Sequence, residues 1–175
     1  MHYQRWSLPL VAAILSVNAY PCQRVTTVSS VDMVNQADVI LRVSAVDYAV
    51  APGNPDVLMT GVPDSTIRFK VLEVIRGGTQ PELILHGYLT PTDDFNDLAP
   101  PYGSVRPGGR LGSCFANSYR LGGEFLLLLK KGQSGELTVN WYALGPVNEQ
   151  LHSANDPWLL WVRGQVEKQD SRDGK

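Results

Sequence analysis

The sequence lacks a surplus of positive charge: 15 Lys and Arg side chains face 17 Asp and Glu, a formal net charge of −2. Binding along a phosphate backbone needs a clustered positive surface, so this balance argues against nucleic acid as a partner. Long apolar runs are missing too. The stretch from Leu8 to Val17 is about half of the roughly 20 residues that a helix needs to cross a bilayer, and no later stretch is longer, so no membrane span is expected. Histidine is scarce. Beyond the first 19 residues only His86 and His152 remain, far apart and with no ligand pattern around them, and both are read as surface or boundary residues. There is no His-Glu-x-x-His, no Gly-x-Ser-x-Gly and no phosphate-cradling glycine loop; Gly108-Gly109 and Gly122-Gly123 are read as turns. Asp93, Asp94, Asn96 and Asp97 offer oxygen ligands of the kind calcium prefers, without the fixed spacing of a calcium loop, and are read as a solvated acidic loop. No catalytic constellation emerges. The expectation is a protein that is not an enzyme and carries no metal or cofactor.

The residues that are present point to export. Residues 1–19 read as a signal peptide, with Arg5 in a short polar start, the apolar run, and Val17-Asn18-Ala19 as a small-residue cleavage site. The other reading of this segment is a retained N-terminal anchor, which its short apolar length disfavours. The expected location is secreted, periplasmic or cell envelope. Beyond the leader lie about 155 residues, enough for one domain with a single core, with boundaries at 20–166 and a polar tail at 167–175. The chain has two cysteines, Cys22 just past the leader and Cys114 in a glycine-rich loop. Two cysteines in an exported chain are expected to bond, and the link would close about ninety residues, contributing on the order of 4 to 5 kcal/mol at most. A bonded Cys114 is no longer a nucleophile.

Periodicity supplies the elements. Ser29 or Ser30 caps a short helix through Val31, Met33 and Val34, with Asp32 near its positive start. Val39, Leu41, Val43 and Ala45 line one face of a first strand, which Pro52-Gly53-Asn54-Pro55 ends. In the second, apolar residues fall at Ile67, Phe69 and Val71 and then at Leu72 and Val74, so the inward phase is expected to slip by one residue; a slip like that is what a bulge produces, and bulges let a strand curl around a small barrel. Pro81 to Thr90 gives a third strand, Gly123 to Lys131 a fourth that is apolar on both faces, and Glu136 to Leu144 a fifth, joined to the fourth by Gly132-Gln133-Ser134-Gly135. Asp156 and Pro157 open a C-terminal helix whose Trp158, Trp161, Val162 and Val166 recur at helical spacing, a stripe read as packing against the sheet. The fold class is therefore all-β dominated: a small five-stranded barrel, closed or nearly so, with a short N-terminal helix and a C-terminal helix alongside. The thirty or so residues between Pro91 and Gly122, rich in Pro, Gly and Asp, look like a functional loop.

The order of these elements resembles the netrin-module superfamily, in particular the N-terminal inhibitory domain of tissue inhibitors of metalloproteinases. The residues that carry the resemblance are Cys22, the helix at Val31 to Gln36, the strand Ala37-Asp38-Val39-Ile40-Leu41-Arg42, the strand and turn Val71-Leu72-Glu73-Val74-Ile75-Arg76-Gly77, and Cys114 followed by Gly123-Glu124-Phe125-Leu126. Together they cover roughly residues 22 to 145. The resemblance implies an OB-like five-stranded barrel. It also implies an inhibitory wedge in which the α-amino group and carbonyl of the opening cysteine chelate a protease's catalytic zinc. By position that partner-binding edge comprises Cys22, Gln23, Arg24 and Val25 with Ser113, Cys114 and Phe115, and the partner is a protein, with a zinc protease as the leading class. A second reading, a small-ligand or glycan-binding envelope module, would use the Pro91 to Gly112 loop with Tyr102, Phe95 and the aspartates.

Overall fold

The computed structural model describes residues 28–53, 63–78, 81–110 and 114–173. A short helix, α1 (Ser30–Gln36), is capped by Ser29, whose Oγ accepts the Asp32 N–H at 3.1 Å. That side chain satisfies one of the amide donors a helix start leaves without a partner. Long strands β1 (Val39–Val50) and β2 (Thr66–Arg76) come next, then β3 (Glu82–His86) and the short β4 (Tyr88–Thr90). After a single turn of helix, α2 (Pro107–Arg110), come β5 (Ser118–Arg120), β6 (Glu124–Lys131), β7 (Leu137–Val139) and β8 (Asn148–Leu151), and the chain runs into α3 (Pro157–Asp173). The segment expected as a polar tail from residue 167 is polar but continues this helix to Asp173.

The main sheet is antiparallel with order β3-β2-β1-β6-β7, and β8 also pairs with β6. Its centre is β6. One edge lies along β1, with Leu127 opposite Leu41, and the other is shared by β7 and β8. All five residues from Phe125 to Leu129 are fully buried, which explains why this strand is apolar on both faces where the outer strands alternate. Among the described residues β3 and β7, the two ends of the sheet, share no ladder, so the strands do not form a closed ring.

The expected bulge in β2 is present. Arg42 pairs with Glu73 and Val43 with Val71, leaving Leu72 as the extra residue. Its consequence differs from the sequence reading: Leu72 and Val74 lie 37% and 47% exposed, so the slipped apolar pair faces outward. The expected third strand, 81–90, is two strands with different partners. β3 pairs with β2, and beyond Gly87 the short β4 turns to a parallel pairing with β5. The break has a steric cause. A Cβ on Gly87 would stand 2.6 Å from the Tyr119 ring and 2.9 Å from Ile67 Cδ1, so only glycine lets the backbone pass so close to the core. Tyr119 in turn lies edge-on to Phe69 and Phe125, each at 5.0 Å, a favoured geometry for aromatic rings.

Helix α3 buries Trp158, Leu159, Val162 and Val166 in the same core as Met33 and Val34 of α1. Asp156 caps it, accepting the Trp158 N–H at 2.8 Å. Two arginines tie the helices to the sheet. Arg163 forks onto Glu73 at 2.6 and 3.1 Å, and Arg76 donates to Val34 O and to Gln169 Oε1, both at 2.5 Å. The Trp158 and Trp161 stripe packs as expected, with Trp158 stacked between Tyr102 at 4.8 Å and Trp161 at 5.0 Å.

Replacing Gly87 by Ala is expected to destabilise the protein by about 1–3 kcal/mol through forced movement of Tyr119 and Ile67. Gly78→Ala, where an added Cβ meets nothing within 4 Å, should be close to neutral. Urea unfolding of the two variants measures the difference, and equal midpoints would contradict the steric account.

Candidate functional site

Of the seven residues expected at the partner-binding edge, Cys22, Gln23, Arg24, Val25 and Ser113 lie outside the described residues. Cys114 and Phe115 lie within them, both half-buried, in the turn that precedes β5. No free cysteine stands among the described residues. The Cys114 backbone is left-handed, with φ of 63°, and so is that of Leu144, at 60°; such conformations are uncommon outside glycine and need support from their surroundings. One hydrogen bond joins the two, Cys114 O accepting the Leu144 N–H at 2.8 Å, and Leu144 O in turn accepts the Val105 N–H at 2.8 Å. Phe115 lies edge-on to Trp141 at 5.4 Å, and its carbonyl accepts the Asn117 N–H at 3.1 Å.

Behind this turn sits Arg106, a side chain with no exposed surface. Its guanidinium donates to Asn148 O at 3.1 Å, Asp94 Oδ2 and Ser118 O at 2.8 Å, and Ala116 O at 3.1 Å. It also lies over the rings of Tyr119 and Phe125 at about 5.5 Å. One cation thereby joins three separated segments: Asp94, the stretch from Ala116 to Ser118 that follows the Cys114 turn, and β8. Glu149 of β8, fully buried, completes the cluster by accepting the Arg106 backbone N–H at 3.2 Å and Asn96 Nδ2 at 2.8 Å. Asn148 Nδ2 donates to the Tyr119 hydroxyl at 2.9 Å and to Ala116 O. Burial pushes the Glu149 carboxyl up to about 7, against the pull of the Arg106 charge and of its two hydrogen bonds, with Asp94 adding to the rise. Burial also raises the Tyr119 phenol.

No family model and no curated protein matches the chain.

The loop residues considered for a glycan or a cation have internal partners. Tyr102 is buried under Trp158, and Phe95 lies edge-on to His152 at 4.0 Å. Asp94 pairs with Arg106, and Asp97 with Arg110 at 2.5 Å, a contact that holds its carboxyl below the usual range. Asp93 accepts from Gln150 Nε2 at 2.6 Å and lies 2.8 Å from Arg120 Nε, close enough to attract although not aligned as a hydrogen bond. The described residues hold no cluster of three or more His, Cys, Asp or Glu suited to a metal ion. His86 Nδ1 sits 2.9 Å from Pro63 O, so neither histidine joins Cys114.

Sequence reasoning missed Arg106, Asn148 and Glu149 altogether. β8 is polar at three of its four positions yet buried throughout, so alternation could not reveal it. The available signal was a run of side chains able to hydrogen-bond, Asn148-Glu149-Gln150, enclosed by Val147 and Leu151.

Arg106→Met would take the guanidinium donors from three backbone carbonyls and the Asp94 carboxylate and the neighbouring positive charge from Glu149, whose hydrogen bond to the residue 106 N–H would remain, and a loss of about 3–5 kcal/mol is expected in urea unfolding. Arg68→Met, which breaks a surface pair with Asp47, should lose about 1 kcal/mol or less. Similar losses from both variants would contradict the central role given to Arg106.

Proposed function

We propose that this chain is an exported binding module of netrin type whose role is to engage a protein partner, with zinc proteases as the first class to try. Its contact edge is the pair of segments Cys22–Val25 and Ser113–Phe115, linked by a disulfide between Cys22 and Cys114. The observation that carries this reading is the Cys114–Phe115 turn: half-exposed, locked in an uncommon backbone conformation, and backed by the buried Arg106 cluster. A binding loop held in this way loses little conformational freedom when it docks, which is what gives pre-organised inhibitors their affinity. The absence of a free cysteine among the described residues accords with the disulfide.

An OB-like barrel is part of the same proposal. The sheet order leaves β3 and β7 as its ends, and residues of both line two clefts of about 440 and 550 Å³ that share Ile84, Glu136 and Leu137. This shared lining supports a sheet whose two ends approach one another, the partly open barrel of the proposal. The glycan reading has less support, because Tyr102, Phe95 and the loop aspartates are engaged within the fold.

Zinc-directed inhibition by this edge needs a free amino group on Cys22, because a further residue ahead of it would occupy the chelating nitrogen. N-terminal sequencing of the exported protein should therefore find Cys22 first, and the intact mass should rise by two hydrogens on reduction. The protein should inhibit members of a zinc-protease panel, and Phe115→Ala should weaken that inhibition about tenfold, as loss of a half-buried aromatic contact does. A chain that begins at Tyr20, retains free thiols and inhibits none of the panel would overturn the reading.

A further inference from the structure

Glu149 reaches no surface and is not among the residues proposed to touch a partner, yet it is an ionisable group sealed beneath the loop of residues 91–110. Both its oxygens meet donors: the Arg106 N–H on Oε1 and Asn96 Nδ2 on Oε2. The Asn96 amide is fixed in that sense, since its Oδ1 already accepts from the Leu98 N–H at 3.1 Å and from Arg110 Nη2 at 3.3 Å. The charged and titratable groups around Glu149 come mainly from the loop. They are Arg106, Asp94 and Tyr102, with the Arg110–Asp97 pair one contact further out through Asn96. From α3, Asp156 reaches the same Tyr102, and β6 places only Leu126 opposite. Hydrogen bonds and the Arg106 cation favour the ionised carboxylate, complete burial favours the acid, and burial prevails.

We propose that the Arg106–Glu149 cluster is a proton-operated latch, which grips residues 94–106 against β8 more firmly when Glu149 is protonated than when it is ionised. The direction is set by linkage. Lifting the loop would hydrate Glu149 and return it to an ordinary carboxyl near 4.5, whereas the closed form keeps its proton up to about 7. Between those two values closure takes up a proton, so the latch is tightest at the acidic end of the window and loosens as pH rises through it. Because the Cys114 turn hangs from the same guanidinium, its mobility should change with it. Anchorage of the loop in this way holds whether or not the proposed partner is correct.

Hydrogen exchange on the full chain, corrected for intrinsic rates, tests it at the Asp94, Arg106 and Gly108 amides, all of which donate within this cluster. Between pH 5.5 and 8 their opening constants should rise roughly tenfold or more, while the β6 amides paired with β1 stay unchanged. In Glu149→Gln the rise should vanish. A flat response in the unaltered protein, a rise shared equally by β6, or an undiminished rise in the variant would each overturn the proposal. Should the variant fail to fold, a carbon-13 NMR titration of the Glu149 carboxyl in the unaltered protein gives an independent reading. A midpoint above about 6 is expected, and a lower one, in the ordinary carboxyl range, overturns the latch.

Discussion

A single buried cation organises the part of this molecule that the sheet does not. Arg106 has no exposed surface, and its donors reach segments that lie far apart in the chain: Asp94 before it, Ala116 and Ser118 after it, and Asn148 in β8. Removing such a charge from water costs several kcal/mol unless its hydrogen bonds are met. Here the guanidinium is met by three backbone carbonyls and one carboxylate, with Glu149 close by as a second acidic group and the faces of Tyr119 and Phe125 against it. The same requirement works as a constraint in reverse. The loop cannot leave without stranding the cation, so a stretch that has little regular structure of its own acquires one conformation.

That constraint reaches the surface through short links. Ala116 O is held by Arg106 and by Asn148, two residues along from Cys114, and the Cys114 carbonyl is held by Leu144, whose own carbonyl holds Val105 next to Arg106. The turn that carries Cys114 and Phe115 is thus closed into a ring of contacts that begins and ends at the buried cluster. The proposed contact edge makes use of this rigid, half-exposed turn; among the described residues the histidines lie elsewhere, His86 against Pro63 and His152 against Phe95. The proposed latch adds that this rigidity is adjustable through one carboxyl.

The regular framework was legible in the sequence because hydrophobic alternation reports which face of a strand is buried. Val39 to Ala45, Ile67 to Arg76, and the doubly apolar Phe125 to Leu129 all lie in the strands their patterns imply, and Ser29 and Asp156 cap the two helices as their types suggest. The slip at Leu72 marked a real bulge, although the outward turn of Leu72 and Val74 could not be read without knowing which face the helices cover. Gly87 gave no local sign that it separates two strands, since its role depends on a ring more than thirty residues away. β8 was invisible for a different reason. Its Asn148, Glu149 and Gln150 are inside through hydrogen bonding and charge, which leave no periodicity, and the partners that allow their burial come from loops. The edge itself is half legible here, because five of its seven residues fall outside the described chain.

Most of this depends on Arg106 and Glu149 acting together to hold the loop. A double-mutant cycle in urea unfolding at neutral pH, with Arg106→Met, Glu149→Leu and the pair, addresses it directly. The two changes are expected to be strongly non-additive, with the double variant more stable than Arg106→Met alone because Glu149 is no longer buried without the cation that offsets its burial; a coupling of about 2 kcal/mol or more would mark it. Additive losses within about 0.5 kcal/mol would show the two residues acting independently and would contradict the joint hold.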